Sequence, residues 1–581
     1  MKLIKSALFV IAVSALLSFV ACKGITLSKY EVIEKEYEVN YIVDEQKGYL
    51  DGIATQTVRE NCSTSQVKVF SNEKYRFIGW DDGNESSERS DVVKDESLTF
   101  TAIFERVYRD LNVTITADMP EAVVFEGQTE QVVHEAEQDF QPVSIQVKFG
   151  YEFLYYEVGG KKYYSDTIDF DLVDSHLDIV VHVDYAVKDL PIVKIDTQSM
   201  PIIGKTDYVD MTFDLVNCSD ALSNVSGGIR LRGNSTLNYD KKPYRLKFDK
   251  KQSLFGLKKS KSWVLLADYL DPSCLHNYTA LTLGNKMENL PFTPTPNKVN
   301  VYLNDEYVGL YTLCEQIQEN EGRINIEKTI TEDMKDLKDF NFYIAMDQSV
   351  AADQDAVLDE TYFYLDEYNR YIELKYPEKT DFTSDEQFYK FFADLKSYIA
   401  DLFATFTSLD SEKIVKETNV GSLIDYYLVD AVMGEVDHAY KSFNMYYTCT
   451  SKNFEENGKL NFGPIWDYDW SLLTPWTGKP CTGMDEISTR VAYSNVFFKA
   501  LQNEPSLTKM TKERYFSKMS PMLDDFISSV NDYGKTIYDS LKLNSIRWYD
   551  DPISLLDNNL KFLNDYLSAR KKRLDTYFSK R

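Results

Sequence analysis

The sequence is poor in the side chains on which many catalytic and metal sites depend. Only 5 of its 581 residues are histidine, and its 7 cysteines are scattered, with no CxxC pair and no cysteine–histidine cluster. A structural zinc site and a disulfide scaffold are therefore not expected, because both need closely spaced or numerous cysteines. The scarcity of histidine directs the search for chemistry to carboxylates.

Positive charge is also in deficit. The chain has 64 Lys and Arg against 92 Asp and Glu, a formal net charge of −28. A surface of this sign repels polyanions, which excludes a general nucleic-acid binder. Mean hydropathy is −0.37, and no long apolar run follows the N-terminus, so a polytopic membrane protein is excluded. With 41 Tyr and 33 Phe to fill cores, a chain of this length is expected to fold into several domains.

The one long apolar run lies at the N-terminus. Lys2 and Lys5 precede an apolar stretch at 6–21, which predicts an export signal peptide over residues 1–22. The run ends in Phe-Val-Ala-Cys, which resembles a bacterial lipobox and predicts a secreted, cell-surface lipoprotein anchored in the membrane through lipid on Cys22. Two or more acyl chains would make the attachment stable, at about 0.8 kcal/mol per buried methylene. The alternative is an ordinary signal peptide or uncleaved anchor that happens to contain a cysteine.

Residues 28–107 and 108–187 are predicted to form two small all-β modules. Short runs in this region alternate apolar and polar residues, which is the period of half-buried strands. Placing Phe77 on Phe153 aligns two copies of the pattern with a period of 76 residues, and this indicates a tandem repeat. The first copy resembles the small β-grasp-like repeats of bacterial surface proteins. Such modules are more often spacers or adhesive units than enzymes.

Residues 190–581 have a different pattern. Strand-like runs alternate with helical segments to about residue 376, and beyond residue 384 the apolar spacing becomes helical. The prediction for this region is an α+β domain with a mainly helical C-terminal half.

Between residues 230 and 261 the chain concentrates positive charge. Eleven basic residues stand against two acids, a local charge of +9 in a protein of −28. A solvated basic face would account for this run, and so would an anion site. The glycines at 227, 228 and 233, beside a strand that carries Lys247, favour phosphate, because glycine lets backbone N–H groups approach phosphate oxygens closely. Composition alone leaves both interpretations open.

The run GPIWDYDWS carries Asp467 and Asp469 in an apolar frame. Two carboxylates separated by one residue on an extended segment point to the same side. This arrangement suits a hard cation such as Mg²⁺ or Mn²⁺ with nucleotide phosphates. Burial of the pair without a metal would be costly. The sequence therefore predicts a metal site here.

Thirty residues upstream, a helix is predicted to end near Gly434, and the loop after it presents Asp437, His438 and Lys441. A carboxylate on such a loop could orient a hydroxyl nucleophile or take its proton. The alternative is a solvated acid at a helix end.

Five stretches follow one another in an order that carries a resemblance. They are GIRLRGNSTLNYDKKPYRLKFDKK, SWVLLADYLDPSCLHNYTA, YLNDEYVGLYTLCEQIQE, GEVDHAYKSFNMYY and GPIWDYDWS. In this order they resemble the motif series of the CotH family of spore-coat-type atypical protein kinases, over roughly residues 190–581. The resemblance implies a divergent protein-kinase-like fold in a secreted or surface-attached protein. It also implies phosphorylation of Ser or Thr with ATP and a divalent metal, Mg²⁺ or Mn²⁺.

The resemblance implies roles for individual residues as well. Asp467 takes the metal-binding position with Asp469 as its helper, and Asp437 matches the catalytic-loop acid. Lys247 is the second catalytic residue, a strand lysine that reaches the ATP phosphates, with Glu315 as its ion-pair partner. The residues implied in binding the nucleotide are Arg232, Gly233, Asn234, Ser235, Lys247 and Glu315.

Two positions depart from these patterns. Leu237 follows the RGNST stretch where the family has an aromatic residue. Ser442 stands five residues after Asp437, where ordinary kinases have a metal-ligating Asn, and the nearest Asn is Asn444. The second metal ligand is therefore open between Ser442 and Asn444.

The leading hypothesis is an exported kinase that transfers the γ-phosphoryl group of ATP to Ser or Thr of surface or coat proteins. The rival is a noncatalytic cell-surface binding or scaffold protein, with a kinase-like domain and adhesive β-repeats, which the scarcity of ATP outside cells favours. A glycosyltransferase that uses the two acids is disfavoured, because no doubly wound α/β pattern surrounds them.

Overall fold

The structure, a computed structural model, describes residues 34–290, 292–348, 357–449, 458–472 and 495–581. The predicted signal peptide and Cys22 lie outside these residues. The chain forms two compact units, of which the second comprises residues 114–129, 142–169 and 178–581 and contains the candidate site. In the described ranges no helix combines the length and the apolarity needed to cross a membrane.

The first unit is built largely from seven short strands. They are β1 Glu36–Ile42, β2 Gly48–Asp51, β3 Thr55–Arg59, β4 Val67–Ser71, β5 Tyr75–Trp80, β6 Glu88–Arg89 and β7 Leu98–Arg106. Four strands form a sheet in the order β3-β1-β7-β5, and the others form a sheet in the order β2-β4-β6. Alternate residues such as Val39 and Tyr41 enter the core, as the period-two pattern predicts.

Eight further strands follow before residue 190. They are β8 Asp110–Ala117, β9 Val123–Glu126, β10 Glu130–His134, β11 Val143–Val147, β12 Tyr151–Val158, β13 Lys161–Tyr163, β14 Thr167–Ile168 and β15 Leu177–Tyr185. The pairing of β5 with β7 shifts register after Phe77, and the pairing of β12 with β15 shifts after Phe153. The two positions aligned by the 76-residue repeat thus share a β-bulge. The module limits stay a prediction.

The second unit contains a closed seven-stranded barrel that begins just after residue 190. Its elements are β16 Ile192–Asp196, β17 Val209–Val216, β18 Leu222–Leu231, β19 Tyr244–Gln252, β20 Ser260–Leu266, helix α1 His276–Gly284, β21 Asn297–Leu303 and β22 Glu306–Glu315. The strand order is β16-β17-β18-β19-β20-β22-β21, and β16 closes the barrel by pairing parallel with β21. In β19, Leu246 and Phe248 fill the barrel core, so that Arg245 and Lys247 lie on its outer face.

In the described residues that follow the barrel, the chain forms a five-stranded sheet and eight helices. The strands are β23 Phe342–Met346, β24 Tyr362–Leu365, β25 Arg370–Tyr376, β26 Phe443–Thr448 and β27 Lys459–Phe462. The described helices are α2 Asp385–Ser408, α3 Ser411–Glu417, α4 Val420–Met433, α5 Val496–Asn503, α6 Pro505–Arg514, α7 Ser520–Thr536, α8 Tyr538–Trp548 and α9 Pro552–Lys580. The N-terminal half of the protein is therefore mostly β-strand and the C-terminal half more helical, as predicted.

Helix α4 positions the loop that carries the first candidate acid. The Asn419 side chain caps its start by accepting a hydrogen bond from the backbone N–H of Ser422. Gly434 ends it in the left-handed conformation with a φ of 62°, the usual role of glycine at a helix C-terminus. The chain then turns at once into the loop of Asp437.

Candidate active site

A cavity of about 460 Å³ in the second unit gathers most of the predicted site residues. Its wall includes the loop after β18, the outer face of β19 and β20, the segment after β22, and the loops that follow α4 and β27. The predicted residues that line it are Asp437, Asp467, Asp469, Arg232, Gly233, Asn234 and Ser235, together with Ser442 and Asn444. Residues more than two hundred positions apart in sequence thus meet in one cavity.

Asp437 is held in place by its own loop. Its backbone N–H donates to Glu435 Oε1 at 2.6 Å, and its carboxylate accepts an ion pair from Lys441 Nζ at 2.9 Å. Only 5% of Asp437 is exposed. Burial raises the pKa of Asp437, and the nearby Lys441 ammonium opposes that rise in pKa. The result is a fixed carboxylate that is a stronger base than a solvated one.

The two acids of the second loop face the same cavity, but the segment between them is not extended. Asp467 has a φ of 68°, a left-handed conformation that costs a non-glycine residue about 1–3 kcal/mol and is often found at functional sites. The prediction of an extended pair is therefore wrong in its geometry. The Asp467 carboxylate accepts a hydrogen bond from Ser442 Oγ at 2.9 Å, and the Asp469 carboxylate shares the Asn277 amide donor with Asp268.

The surroundings of Asp469 disfavour its negative charge. Burial raises its pKa well above the ordinary value, and the carboxylates of Asp268 and Asp467 raise that pKa further. Crowded carboxylate oxygens of this kind are stabilised by a hard cation. In the described part of the chain, no three His, Cys, Asp or Glu side chains are grouped as a complete metal site. Asp467 and Asp469 therefore fit a cation that shares its remaining ligands with phosphate and water.

The hydrogen bonds of Ser442 and Asn444 bear on which of the two residues is the second metal ligand. Ser442 Oγ donates to Asp467 and so lies next to one of the two candidate metal-binding carboxylates. Asn444 donates from Nδ2 to the carbonyl oxygen of Pro464 at 2.8 Å and accepts from Tyr343 Oη at 2.7 Å. Asn444 therefore holds β26 against the chain that leads into Asp467.

Asn277, on helix α1, joins the barrel to the acid loop and is absent from the sequence predictions. Its Oδ1 accepts from the backbone N–H of Tyr468 at 2.9 Å. Its Nδ2 donates to Asp268 at 2.9 Å and also to Asp469. One amide side chain thus fixes the orientation of both carboxylates and of the loop between Asp467 and Asp469.

Asp268 in turn belongs to a buried ion pair. Lys298 Nζ lies 2.7 Å from Asp268 Oδ2, and both side chains are essentially inaccessible to solvent. Thr312 Oγ1 donates to the same oxygen at 2.6 Å. Burial is the largest single influence and lowers the pKa of Lys298, but Asp268, Cys274 and Asp271 together raise that pKa above its ordinary value. Because Val299 and Val301 fill the barrel core, Lys298 lies on the outer face of β21, and this ion pair supports the wall of the cavity from there.

His438 connects the two acidic loops. Its Nδ1 lies 2.9 Å from Asp430 Oδ2 and its Nε2 lies 2.7 Å from the carbonyl oxygen of Trp466. Burial is the largest single influence and lowers the pKa of His438, but Asp430, Glu435 and the Trp466 carbonyl together raise that pKa to about 10. The ring is therefore an imidazolium that donates at both nitrogens. The ring therefore holds Trp466, the residue before Asp467, in a fixed position relative to Asp437, the residue before His438.

The loop after β18 supplies positive charge and tight backbone geometry. The Arg232 guanidinium lies 5.2 Å from the centre of the Trp466 ring. Burial lowers the pKa of Arg232, while Asp467 and Asp469 act to raise that pKa. Gly233 has a φ of 90°, and a Cβ placed there would approach Thr236 Oγ1 to 2.1 Å. Glycine is therefore required at this turn.

Lys247 and Glu315 do not line the cavity, and their predicted ion pair does not form. Lys247 is exposed on the outer face of β19, with its ammonium 5.7 Å from the centre of the Tyr208 ring. Glu315 pairs in register with Trp263, a barrel-core residue, and its carboxylate accepts from the backbone N–H of Thr295 at 2.7 Å. The two side chains lie on opposite faces of the barrel wall, because residues paired in register share a face. Arg245, two residues before Lys247, is the β19 cation that lines the cavity.

Comparison with known proteins gives one family. No curated protein matches the chain. The model of the CotH kinase protein family matches residues 229–574, more than half of the chain. The match begins at the end of β18 and includes all the acids, the Arg232–Ser235 loop, Asn277 and Lys298. This match supports a kinase-like function, and the chain therefore belongs to the CotH kinase protein family.

Proposed function

We propose that this protein is an exported, lipid-anchored protein kinase that transfers the γ-phosphoryl group of ATP to Ser or Thr hydroxyls of surface or coat proteins. The observation that carries the proposal is the convergence of Asp437, Asp467 and Asp469 with the Arg232 loop in one cavity. Phosphoryl transfer depends mainly on positioning and on stabilising phosphate charge, and this cavity offers groups for both.

Asp437 is the group that would receive the acceptor proton. As the Ser or Thr oxygen bonds to the γ-phosphorus, the bond from that phosphorus to the β-phosphate oxygen breaks and ADP leaves. The hydroxyl proton passes to the Asp437 carboxylate, whose raised pKa favours this role. A positioned base of this kind contributes about 10²–10⁴-fold. Lys441 keeps the carboxylate oriented through its 2.9 Å contact.

The remaining groups would hold the nucleotide phosphates. Asp467 and Asp469, with Ser442 beside them, would hold Mg²⁺ or Mn²⁺, which neutralises phosphate charge when bound. Arg232 would add a fixed positive charge next to the same acids. Asn277 and His438 hold the acid loop in place through their hydrogen bonds.

The decisive experiment is incorporation of labelled phosphate from ATP by the purified mature protein with Mg²⁺ or Mn²⁺. Asp467→Ala and Asp437→Asn should each abolish it, while Asp525→Asn, at an exposed position on α7, should leave it unchanged. Activity that survives Asp467→Ala would refute the assignment. Absence of nucleotide binding at millimolar metal, with affinity for a polysaccharide, would instead favour the noncatalytic scaffold.

The proposed anchor is tested separately. Expressed in a bacterium that processes lipoproteins, the intact chain should partition into the detergent phase. Cys22→Ser should move it to the aqueous phase, because the acyl chains supply the membrane affinity. Lys23→Ser, one residue further on, is the matched control and should partition like the intact chain. Equal partitioning of the Cys22 variant would favour the ordinary signal peptide or an uncleaved anchor.

A further inference from the structure

Three cations on the outer face of the barrel form a continuous strip, made of Arg230, Arg245 and Lys247. Arg230 on β18 and Arg245 on β19 are paired directly in register, so their side chains leave the sheet on the same face. Lys247 lies two residues further along β19 on that face, about 7 Å away along the strand. We call this set the cation strip.

Tyr208 lies beneath the cation strip. The Arg230 guanidinium carbon lies 5.1 Å from the centre of the Tyr208 ring, and Lys247 Nζ lies 5.7 Å from it. Gly228, the register partner of Lys247, makes this possible, since a Cβ there would approach Tyr208 Cβ to 2.8 Å. The ring therefore sets the spacing of the cations on either side of it.

The positive charge of the strip is not neutralised by the chain. Across the residues that the structure describes, no carboxylate lies within ion-pair distance of any of the three cations, and the buried Nε atoms of Arg230 and Arg245 have no hydrogen-bond partner. Glu319 acts on Arg245 from a distance, but it is already paired with Lys328 at 3.2 Å. Like charges paired directly across two strands destabilise a sheet. An arrangement of this kind is stabilised when an anion binds.

The strip starts inside the cavity and ends outside it. Arg245 lines the cavity, whereas Lys247 is exposed beyond the cavity wall. Asp467 and Asp469 act directly on Arg232. Arg245 also acts on Arg232, and on its other side it interacts with Tyr208, Arg230 and Glu319. Arg230 and Lys247 do not line the cavity, so an anion held by these two cations would lie at its mouth, beside the nucleotide phosphates and not among them.

We propose that the cation strip binds acidic side chains of the acceptor polypeptide, Asp, Glu or phosphorylated Ser or Thr, next to the hydroxyl that receives phosphate. This inference rests on the proposed kinase function. An extended acceptor strand can contact cations along about 7 Å of β19, and clusters of arginine are a common means of recognising acidic and phosphorylated segments. Because the protein carries a net charge of −28, most of its surface would repel an acidic chain, and the strip would direct such a chain to the mouth of the cavity.

The test measures binding and does not require catalysis. Fluorescent peptides with one central Ser and flanking Glu, phosphoserine or Gln are titrated into the mature protein, with and without ATP and Mg²⁺. The Glu and phosphoserine peptides should bind at least tenfold more tightly than the Gln peptide, and added salt should weaken them. Arg230→Gln and Lys247→Gln should each remove most of that difference. The double change Lys259→Gln and Lys261→Gln is the control, since it removes exposed charge from the same basic run outside the strip.

Nucleotide affinity decides between the strip and the phosphate site. Arg230→Gln should leave the Kd for ATP unchanged. A tenfold rise in the ATP Kd of Lys247→Gln would assign the strip to the nucleotide and overturn the inference. Equal binding of the acidic and Gln peptides would also overturn it. If acidic peptides bind as expected but no phosphate is transferred, the strip stands and the proposed kinase function fails.

Discussion

His438 Nε2 donates to the carbonyl oxygen of Trp466 across 2.7 Å, and this hydrogen bond joins the loop of Asp437 to the loop of Asp467. The imidazolium is held by Asp430 at 2.9 Å, and Asp430 also accepts from Tyr468 Oη at 2.7 Å. The two loops are therefore fixed to helix α4 through one buried charged group. Their separation depends on the protonation of that group.

The pH dependence of stability should report this group. Its folded-state pKa of about 10 lies above the ordinary value of 6.5, so its stabilisation is complete below pH 6.5 and is lost as pH rises through 10. Denaturant unfolding of the intact chain at about pH 7 and pH 10 should show a fall in the free energy of unfolding. His438→Gln should flatten that fall and lower stability at pH 7, because Asp430 is left buried and unpaired. His182→Gln, which breaks the partly exposed pair with Asp118, should change the fall in the free energy of unfolding little. An unchanged slope in the His438 variant would contradict the assignment.

Asn277→Ala should reduce phosphate transfer about a hundredfold and raise the metal concentration needed for half-maximal activity. The reason is that Asp268, Asp469 and the backbone of Tyr468 all lose a partner. Steady-state kinetics at varied Mg²⁺ provide the measurement. Asn285→Ala, just past the end of the same helix, loses only bonds to the carbonyl oxygens of Leu281 and Pro294 and should behave like the unmodified chain. Equal losses in both variants would indicate a purely structural role.

Replacing two glycines with left-handed backbone distinguishes the effect of backbone strain from that of a steric clash. Gly233 lies in the Arg232 loop and Gly256 does not. Gly233→Ala should weaken nucleotide binding at least tenfold, since its Cβ would meet Thr236 Oγ1 at 2.1 Å. Gly256 has a φ of 71° but open space around it, so Gly256→Ala should cost only about 1 kcal/mol of stability. Calorimetric titration with a nonhydrolysable ATP analogue distinguishes them. Unaltered affinity in the Gly233 variant would exclude this loop from the nucleotide site.

Lys298 and Lys247 should differ sharply when replaced by alanine. Lys298→Ala leaves Asp268 buried without its counter-ion, which costs about 3–5 kcal/mol. Lys247→Ala removes an exposed side chain and should change stability by no more than about 0.5 kcal/mol. Urea unfolding followed by fluorescence measures both. A stability loss in the Lys247 variant as large as in the Lys298 variant would contradict the placement of the two lysines.

The acids of the site could be predicted from sequence because they stand in short, unusual runs such as GPIWDYDWS. The cation that β19 contributes to the cavity could not be predicted, because the resemblance identifies the strand but not which face of that strand meets the cavity. The barrel core takes Leu246 and Phe248, which leaves Arg245 at the cavity and Lys247 beyond it. The sequence did carry a signal for the burial of Lys298. It is the one charged residue of the run KVNVYL, so its side chain is expected to be buried whichever face of the strand it occupies.

Asn277 illustrates the other kind of failure. Its role depends on the approach of α1 to a loop 191 positions away in sequence, and an asparagine near the start of a helix is most simply explained as a local cap. Periodicity predicted the β-rich first half and the helical second half because those patterns are local. The barrel closure, the left-handed turn of the acid loop at Asp467 and the register of β18 with β19 depend on contacts that no single segment contains.

The parallel pairing of β16 with β21 has a practical consequence for anyone who truncates this protein. The family match starts at residue 229, but β16, β17 and most of β18 precede it. A fragment cut at the family boundary would expose the edge of β21 and remove most of β18, one of the two sheet partners of β19. A minimal catalytic fragment should therefore begin upstream of Ile192, so that it contains all seven strands of the barrel.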